Sequence, residues 1–152
     1  MTNQHKKSLV ATIVGGAIAL SSASLMAGGY ELGLEAFNKG QYSKAFRIIE
    51  TSAKKGNVKA QFILSTMFRR GLGVEADEYQ AFEWCKKAAE EEFPEAQFQL
   101  GLMYLHGEGV TDDNSEAQKW LWAAADQGYP QASEVLTYIY SAEYNLEHEI
   151  GC

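Results

Sequence analysis

The sequence predicts an all-α fold, a solenoid of helix-turn-helix repeats with a period of 36 residues. Three observations carry this. Alanines recur at that spacing, in the sets Ala45/Ala81/Ala117, Ala53/Ala89/Ala125 and Ala60/Ala96/Ala132. Large residues keep the same step, as Leu64/Leu100/Leu136, Trp84/Trp120 and Pro94/Pro130. The pattern Gly71–Leu72–Gly73–Val74 returns as Gly107–Glu108–Gly109–Val110. One unit of this length cannot bury its apolar stripe alone, whereas stacked copies can. Such stacks commonly present an extended surface to a partner.

Residues 1–27 read as a secretory signal peptide. His5, Lys6 and Lys7 precede the mostly apolar run Leu9 to Leu20. Met26–Ala27–Gly28 then offers cleavage after Ala27, with Ala23 as the alternative. No cysteine directly follows the run to accept a lipid. The competing reading is an uncleaved membrane anchor, because residues 8–29 carry no charge and nearly reach bilayer length. Gly15, Gly16 and the serines dilute that apolarity. The expected location is periplasmic or secreted, with contact to a membrane only if the segment stays uncleaved.

The repeat domain is expected over 28–143, in units of about 29–57, 58–93, 94–129 and 130–143. Leu32 lies 32 residues before Leu64, whereas Ala45 lies 36 before Ala81. The first unit therefore lacks four residues between its helices, leaving Asn38–Lys39–Gly40–Gln41 as the turn. Helix A is expected over about 58–70 and 94–106, each ended by a left-handed glycine, Gly71 or Gly107. Pro94 and Pro130 sit in first turns, where a missing N–H is harmless. Helix B is expected over about 78–91 and 114–127. Asp77 and Asp113 open it, with Gln80 and Glu116 three residues on, in the reciprocal capping pattern. Gly56 and Gly128 follow helix B, and Glu92 takes that place in the second unit.

Packing slots follow from the same register. Small residues at 45/81/117, 52/88/124 and 53/89/125 let helices approach closely. Large core residues are expected at 48/84/120 and 49/85/121 on helix B, and at 64/100/136, 67/103/139 and 68/104/140 on helix A. The last unit reads as one helix from Pro130 to about Ser141, with 144–152 leaving it as an acidic C-terminal tail or cap.

The chain has 152 residues and a net charge of −7, which becomes −9 once the signal peptide takes Lys6 and Lys7 away. That balance argues against nucleic acid, which needs a basic face, and against adhesion to anionic lipid. It fits plain solubility or a basic partner. The mature length is that of one domain.

Residues able to carry chemistry read as structural. Cys85 shares its slot with Ile49 and Leu121, the place of a buried apolar side chain. A disulfide with Cys152, or a Cys152–Cys152 dimer, is the other use of an exported thiol. Ser52–Ala53–Lys54–Lys55 has the serine–lysine spacing of penicillin-interacting enzymes. It defines an alternative function, a β-lactam-interacting or cell-wall hydrolase acting through Ser52. Against it, Ser52 takes the tight slot of Ala88 and Ala124, and no Ser-Asp-Asn or Lys-Thr-Gly motif accompanies it. His106 and His148 have no second ligand at metal spacing. Asp112 and Asp113 are explained by capping. Gly71/Gly73 and Gly107/Gly109 end helices rather than open them as a phosphate loop does. No catalytic residue, metal or cofactor is expected.

The segments Ala96–Gln97–Phe98–Gln99–Leu100–Gly101–Leu102–Met103–Tyr104 and Gly107–Glu108–Gly109–Val110 resemble the Sel-one-like repeat, a relative of the tetratricopeptide repeat. Asp113, Ala117, Trp120, Ala123–Ala124–Ala125, Gln127 and Gly128 complete the likeness. Residues 58–93 match nearly as well, with Ser65 at the place of Gly101, and residues 29–57 are closer to a plain tetratricopeptide unit. The resemblance implies an α/α superhelical solenoid acting as an adaptor in protein complexes. For exported bacterial members it implies roles in envelope assembly, signalling or host contact. A membrane-tethered structural subunit of an envelope complex is a further alternative.

The resemblance also implies a concave surface lined by helix A. Carried over residue by residue, the second unit offers Lys59, Phe62, Thr66, Arg69 and Arg70. The third offers Glu95, Phe98, Leu102, Leu105 and His106, and the last offers Gln131, Glu134, Tyr138 and Ser141. The expected occupant is a protein or extended peptide. Phe62, Phe98, Leu102, Leu105 and Tyr138 would form an apolar groove with Arg69 and Arg70 at one edge. Other roles stay open at several positions. Phe62 and Phe98 can instead pack on the next unit's helix A, and Arg69 and Arg70 can complement the C-terminal end of their own helix. Trp122, whose counterparts are Glu50 and Lys86, is either an outer-face contact or cover for the C-terminal tail.

Overall fold

The computed structural model describes the backbone over residues 22–149 and side chains over 28–141. The described residues form seven helices and no strand: α1 (Ser22–Asn38), α2 (Tyr42–Lys54), α3 (Val58–Arg70), α4 (Glu78–Glu90), α5 (Pro94–His106), α6 (Asn114–Asp126) and α7 (Pro130–Glu149). Each substantial helix packing joins helices consecutive in the chain, the connectivity of a solenoid. α1/α2, α3/α4 and α5/α6 are three hairpins, and α7 is the helix A of a fourth unit. The run Leu9–Leu20 and Cys152 lie outside the described residues. α1 begins at Ser22, upstream of the expected cleavage point after Ala27.

The helix bounds obey the sequence signals. α3 and α5 cover the expected residues and end on Gly71 and Gly107, at φ 64° and 69°. Leu72 N and Glu108 N there donate to Met67 O and Met103 O at 2.9 and 3.0 Å, satisfying carbonyls that the helix end leaves open. The Asp77 carboxylate accepts from Gln80 N at 2.9 Å. Asp113 accepts from Ser115 N and Glu116 N at 2.9 and 3.0 Å. Both acids thus hold N–H groups that have no partner within the helix. α7 departs from expectation, running to Glu149 rather than ending near Ser141. Nothing between Pro130 and Gly151 breaks a helix, and Ala142, Glu143, Leu146 and Glu147 favour one.

The core lies between successive helices. Ala45, Ala60, Ala81, Ala96, Ala117 and Ala132 are fully buried, as are Ile49, Leu64, Met67, Cys85, Leu100, Met103 and Leu121. Each helix A leucine packs backward onto the preceding helix B. Leu64 joins Ile49 and Ala53, Leu100 joins Cys85 and Ala88, and Leu136 joins Leu121 and Ala124. No helix B precedes α1 among the described residues, and Leu32, the counterpart of Leu64, is 60% exposed. Two expected sets are less buried than the register suggests. Ile48, Trp84 and Trp120 are half-buried, with the two indoles laid against the preceding unit's cluster. Phe68 and Tyr104 are half-buried, while Tyr140 stays exposed because no helix B follows α7 among the described residues.

Within a unit, the crossing of helix A over helix B sets a small residue against a large one. A Cβ on Gly101 would lie 2.8 Å from Leu121 Cγ, and one on Gly33 would lie 2.6 Å from Ile49 Cδ1. In the second unit Ser65 holds the small place and is buried. The residue facing it is Cys85, shorter than isoleucine or leucine. Volume has moved from one wall to the other, so the helices keep their separation.

Between units, the second glycine of each loop is the close contact. Gly73 and Gly109 have φ of 74° and 72°, and a Cβ there would lie 2.3 Å from Tyr42 O and 2.1 Å from Glu78 O. The loop after helix A thus presses on the first turn of the preceding helix B, backbone against backbone. Buried glutamines add a polar rung. Gln61 and Gln97 donate through Nε2 to Ala53 O and Ala89 O at 3.4 and 3.3 Å. Gln97 Oε1 also accepts from Gln127 Nε2 at 2.8 Å. The second unit carries Glu91 at the place of Gln127, a carboxylate with no proton to give, and Gln61 Oε1 has no partner.

Two predictions follow from these contacts. Gly109→Ala costs about 3 kcal/mol, a left-handed alanine added to a backbone clash. Gly107→Ala, whose nearest neighbour is at 3.5 Å, costs about 1 kcal/mol; urea unfolding of the two variants measures the difference. Cys85→Leu destabilises by about 1–3 kcal/mol through crowding of Ser65, and adding Ser65→Gly restores most of it. Strict additivity in that double-mutant cycle would refute the exchange of volume.

Candidate functional site

The residues assigned to the helix A row lie on α3, α5 and α7 and differ in exposure. Along α3, Lys59, Arg69 and Arg70 are exposed, and Phe62 and Thr66 are half-buried. Along α5, His106 is exposed, and Glu95, Phe98, Leu102 and Leu105 are half-buried. Along α7, Gln131, Glu134, Tyr138 and Ser141 are exposed, Tyr138 to 74%. Spacings of three and four residues keep each set on one side of its helix. The strip carries three cations in the second unit and carboxylates at Glu95 and Glu134 further on.

The two phenylalanines of this row are not open to a groove in the way the sequence suggests. Phe62 meets Phe93 edge-on, with ring centroids 5.4 Å apart, and Phe98 lies on Tyr129 at 5.0 Å. Phe93 and Tyr129 are the residues immediately before the helix A of the next unit, so these rings staple one unit to the next. Phe62 also packs on the Ala81–Met103 cluster, and Phe98 and Leu105 pack on the Leu121–Ile139 cluster. The packing role therefore holds for both phenylalanines, which stay half-buried. Phe93 and Tyr129 were not singled out by the sequence reading. Their signal was an aromatic at the place of Asn57, a position that otherwise suits a capping side chain.

Polar members are partly committed. Thr66 Oγ1 donates to Phe62 O at 3.2 Å within its own helix. Arg69 Nη1 approaches Glu108 Oε2 at 4.0 Å, with both side chains over a third exposed. An exposed pair at that distance is worth about 0–1 kcal/mol, so a ligand anion competes easily for the guanidinium. Arg69 and Arg70 also lie in the last turn of α3, where cations complement the helix dipole.

Cys85 is a free, buried thiol whose Sγ donates to Ala96 O at 3.4 Å. Burial pushes its pKa up to about 12, so it is no nucleophile at neutral pH. Ser52 is buried and its Oγ has no partner; a substrate cannot reach that hydroxyl in the folded chain. Trp122 is 49% exposed, and its Nε1 donates to Tyr140 OH at 3.1 Å. Among the described residues, no group of three or more His, Cys, Asp or Glu side chains is disposed to hold a metal. No described helix is long and apolar enough to cross a membrane.

The Sel1 repeat family matches residues 58–93 and 94–129, the second and third units as the register draws them. The chain is a Sel1-repeat protein. Its fold is similar to that of c5321, a protective antigen present in uropathogenic Escherichia coli strains that displays an SLR fold. The likeness has a TM-score of 0.76 and 32% identity, covering 80% of this chain and 27% of that one. A Sel1 repeat protein from Oxalobacter formigenes is similar at a TM-score of 0.71 and 37% identity, over 75% of this chain and 46% of that one. This chain thus spans between about a quarter and a half of the length of those two. Helicobacter pylori cysteine rich protein B is 15% identical at a TM-score of 0.59, over 76% of this chain and 97% of that one, a likeness of fold alone. No curated protein matches the chain. Sel1 repeat proteins generally mediate protein–protein interaction and act as non-catalytic scaffolds.

The buried thiol gives a direct test. In a Cys152→Ser variant at pH 8, a maleimide labels Cys85 at least about 100-fold more slowly in the folded protein than in urea-unfolded chain, because labelling awaits opening of the stack. The folded pKa lies near 12 against an ordinary 9.0. The thiol's contribution to stability is therefore complete below pH 9 and falls as pH rises towards 12. Cys85→Ala removes that part of the alkaline decline, read as the difference between the two unfolding curves across pH 8 to 11.

Proposed function

We propose that this Sel1-repeat protein is an exported, non-catalytic adaptor that holds a protein or an extended peptide along the concave face lined by helix A. The observation that carries this reading is the accessible row itself. Arg70 and His106, 36 residues apart, are exposed on helix A of the second and third units, and Tyr138, the counterpart of the half-buried Leu102, is exposed on that of the last. Exposed aromatic, aliphatic and arginine side chains in one strip have the composition of a binding hot spot. Phe62 and Phe98 brace the strip through their contacts with Phe93 and Tyr129. A rigid row lowers the ordering cost of binding an extended chain. Export rests on the leader-like segment at 1–27, and it agrees with the protective-antigen character of one relative. The hydrolase alternative through Ser52 is disfavoured by the burial of that side chain.

The experiment compares capture from the envelope fraction by the wild type and by the double variant Leu102→Glu/Tyr138→Ser. Capture of the partner falls at least about tenfold, as expected for loss of hot-spot contacts, while helical content and melting midpoint stay unchanged. Undiminished capture by the variant removes the groove from consideration. Phe98→Glu is a poor probe, because it breaks the contact with Tyr129. N-terminal sequencing of the same captured protein gives Gly28 as the first residue if the leader is cleaved after Ala27.

A further inference from the structure

Net charge hides how charge is distributed along this chain. Between residues 36 and 70 stand eight cations and one acid, whereas 71–149 holds three cations and seventeen acids. An asymmetry of this size creates local fields that the net value conceals. The outer faces of α2 and α4 show it position by position. Ala45, Ile49, Ser52 and Ala53 turn to the core from α2, and Ala81, Cys85, Ala88 and Ala89 from α4. On the side away from the core, the 36-residue register pairs Arg47 with Glu83, Glu50 with Lys86 and Lys54 with Glu90, and every charge is inverted. Beside them, Lys55 stands at the place of Glu91. Arg47, Lys54, Lys55, Glu90 and Glu91 are exposed, and Glu50, Glu83 and Lys86 are half-buried. α6 breaks the pattern with Lys119 and Trp122, so the complementarity is confined to α2 and α4.

Within the chain these charges are poorly used. Among the described residues Arg47, Lys55, Glu83, Glu90 and Glu91 form no ion pair. Lys87, one turn from Glu83, lies over the Trp84 ring at 4.1 Å instead. Lys54 reaches only Glu50 of its own helix, at 2.8 Å. Glu90, Glu91 and Glu92 crowd the C-terminal end of α4, where carboxylates oppose the helix dipole, and Glu92 keeps φ 58° where its counterparts are glycines. We infer that α2 and α4 together form a self-complementary face through which two copies of this chain pair about a two-fold axis. Equivalent helices of a stack run parallel. An axis parallel to them, between α2 and α4, lays α2 of each copy along α4 of the other, in the same direction and at the same height. Arg47 then meets Glu83, Lys54 meets Glu90, and Glu50 meets Lys86 and Lys87, each contact occurring twice. The same axis sends the acidic units beyond α4 to opposite ends of the pair, which holds the bulk of the negative charge apart. Exposed ion pairs are individually weak and are screened by salt, so the pairing is weak and salt-sensitive. The face belongs to helix B and involves no residue of the helix A row, so it does not depend on the adaptor reading.

Sedimentation velocity of the full chain, from about 10 to about 300 μM protein in about 20 mM salt, tests the pairing where screening is slight. The expected result is a monomer–dimer equilibrium that ends at the dimer and weakens at least about tenfold in about 300 mM salt. Arg47→Glu and Glu83→Arg, each alone, abolish pairing with helical content unchanged, because each sets like charges against one another at both symmetric contacts. An equimolar mixture of the two variants pairs as the wild type does, since each reversed position then faces the other, and the double variant pairs with itself. A chain that stays monomeric throughout overturns the inference and leaves both faces to solvent or to another polypeptide. Association indifferent to the reversals overturns it too, as does a mixture that stays monomeric. Growth past the dimer is equally decisive against it, since a head-to-tail contact of α2 with α4 does not close.

Discussion

The distance between neighbouring helix axes governs this molecule. Ala45, Ala60, Ala81, Ala96, Ala117 and Ala132 are all fully buried, and each sits where one helix crosses another. A methyl group at the crossing lets backbones approach at the short end of the usual 8–10 Å range. Leu64, Leu100 and Leu136 reach across to the preceding helix B beside these alanines. The loops obey the same constraint. Gly73 and Gly109 meet the first turn of helix B with no room for a side chain. A larger residue at any of these places changes the separation of one pair of helices. In a stack where each unit touches only its neighbours, that tilts everything beyond it.

This closeness explains why the helix A row is only partly free. Residues on helix A have the next unit to satisfy before anything else. Phe62 and Phe98 lean on Phe93 and Tyr129, so they serve the cohesion of the stack. Leu102 and Tyr138 lie further round the helix and are less used by the stack.

Much of the fold was legible from spacing. The bounds of α3 and α5 follow from Pro94, Gly71 and Gly107, and those of α4 and α6 from Asp77 and Asp113, because caps and stops are local and each has one physical purpose. The degree of burial was harder to read. Trp84 and Trp120 look like core residues by size, yet they are half-buried because they cover the edge of the preceding unit. Phe62 and Phe98 look like groove residues by register, yet their partners stand 31 residues further along the chain, at Phe93 and Tyr129. A period reveals which positions are equivalent, but not how much of each ring a neighbouring unit covers. The end of α7 was misplaced for the opposite reason. No breaker stands there, and an acidic composition alone does not stop a helix.

The same register reveals where strain collects. The second unit places Glu92 at φ 58°, where its counterparts are Gly56 and Gly128, at roughly 1 kcal/mol for a side chain in that region. It leaves Gln61 Oε1 without the donor that Gln127 supplies to Gln97, at roughly 1–3 kcal/mol for a buried unpaired acceptor. It also replaces the glycine of the crossing by Ser65 and meets it with Cys85. All three departures lie in a unit with a neighbour on each side. In a linear stack the stability of a unit is its own plus that of its interfaces, so an interior unit tolerates departures that an end unit would not. The same unit carries the exposed cations Lys59, Arg69 and Arg70 on its helix A. Sequence freedom thus falls in a unit whose fold is secured from both sides.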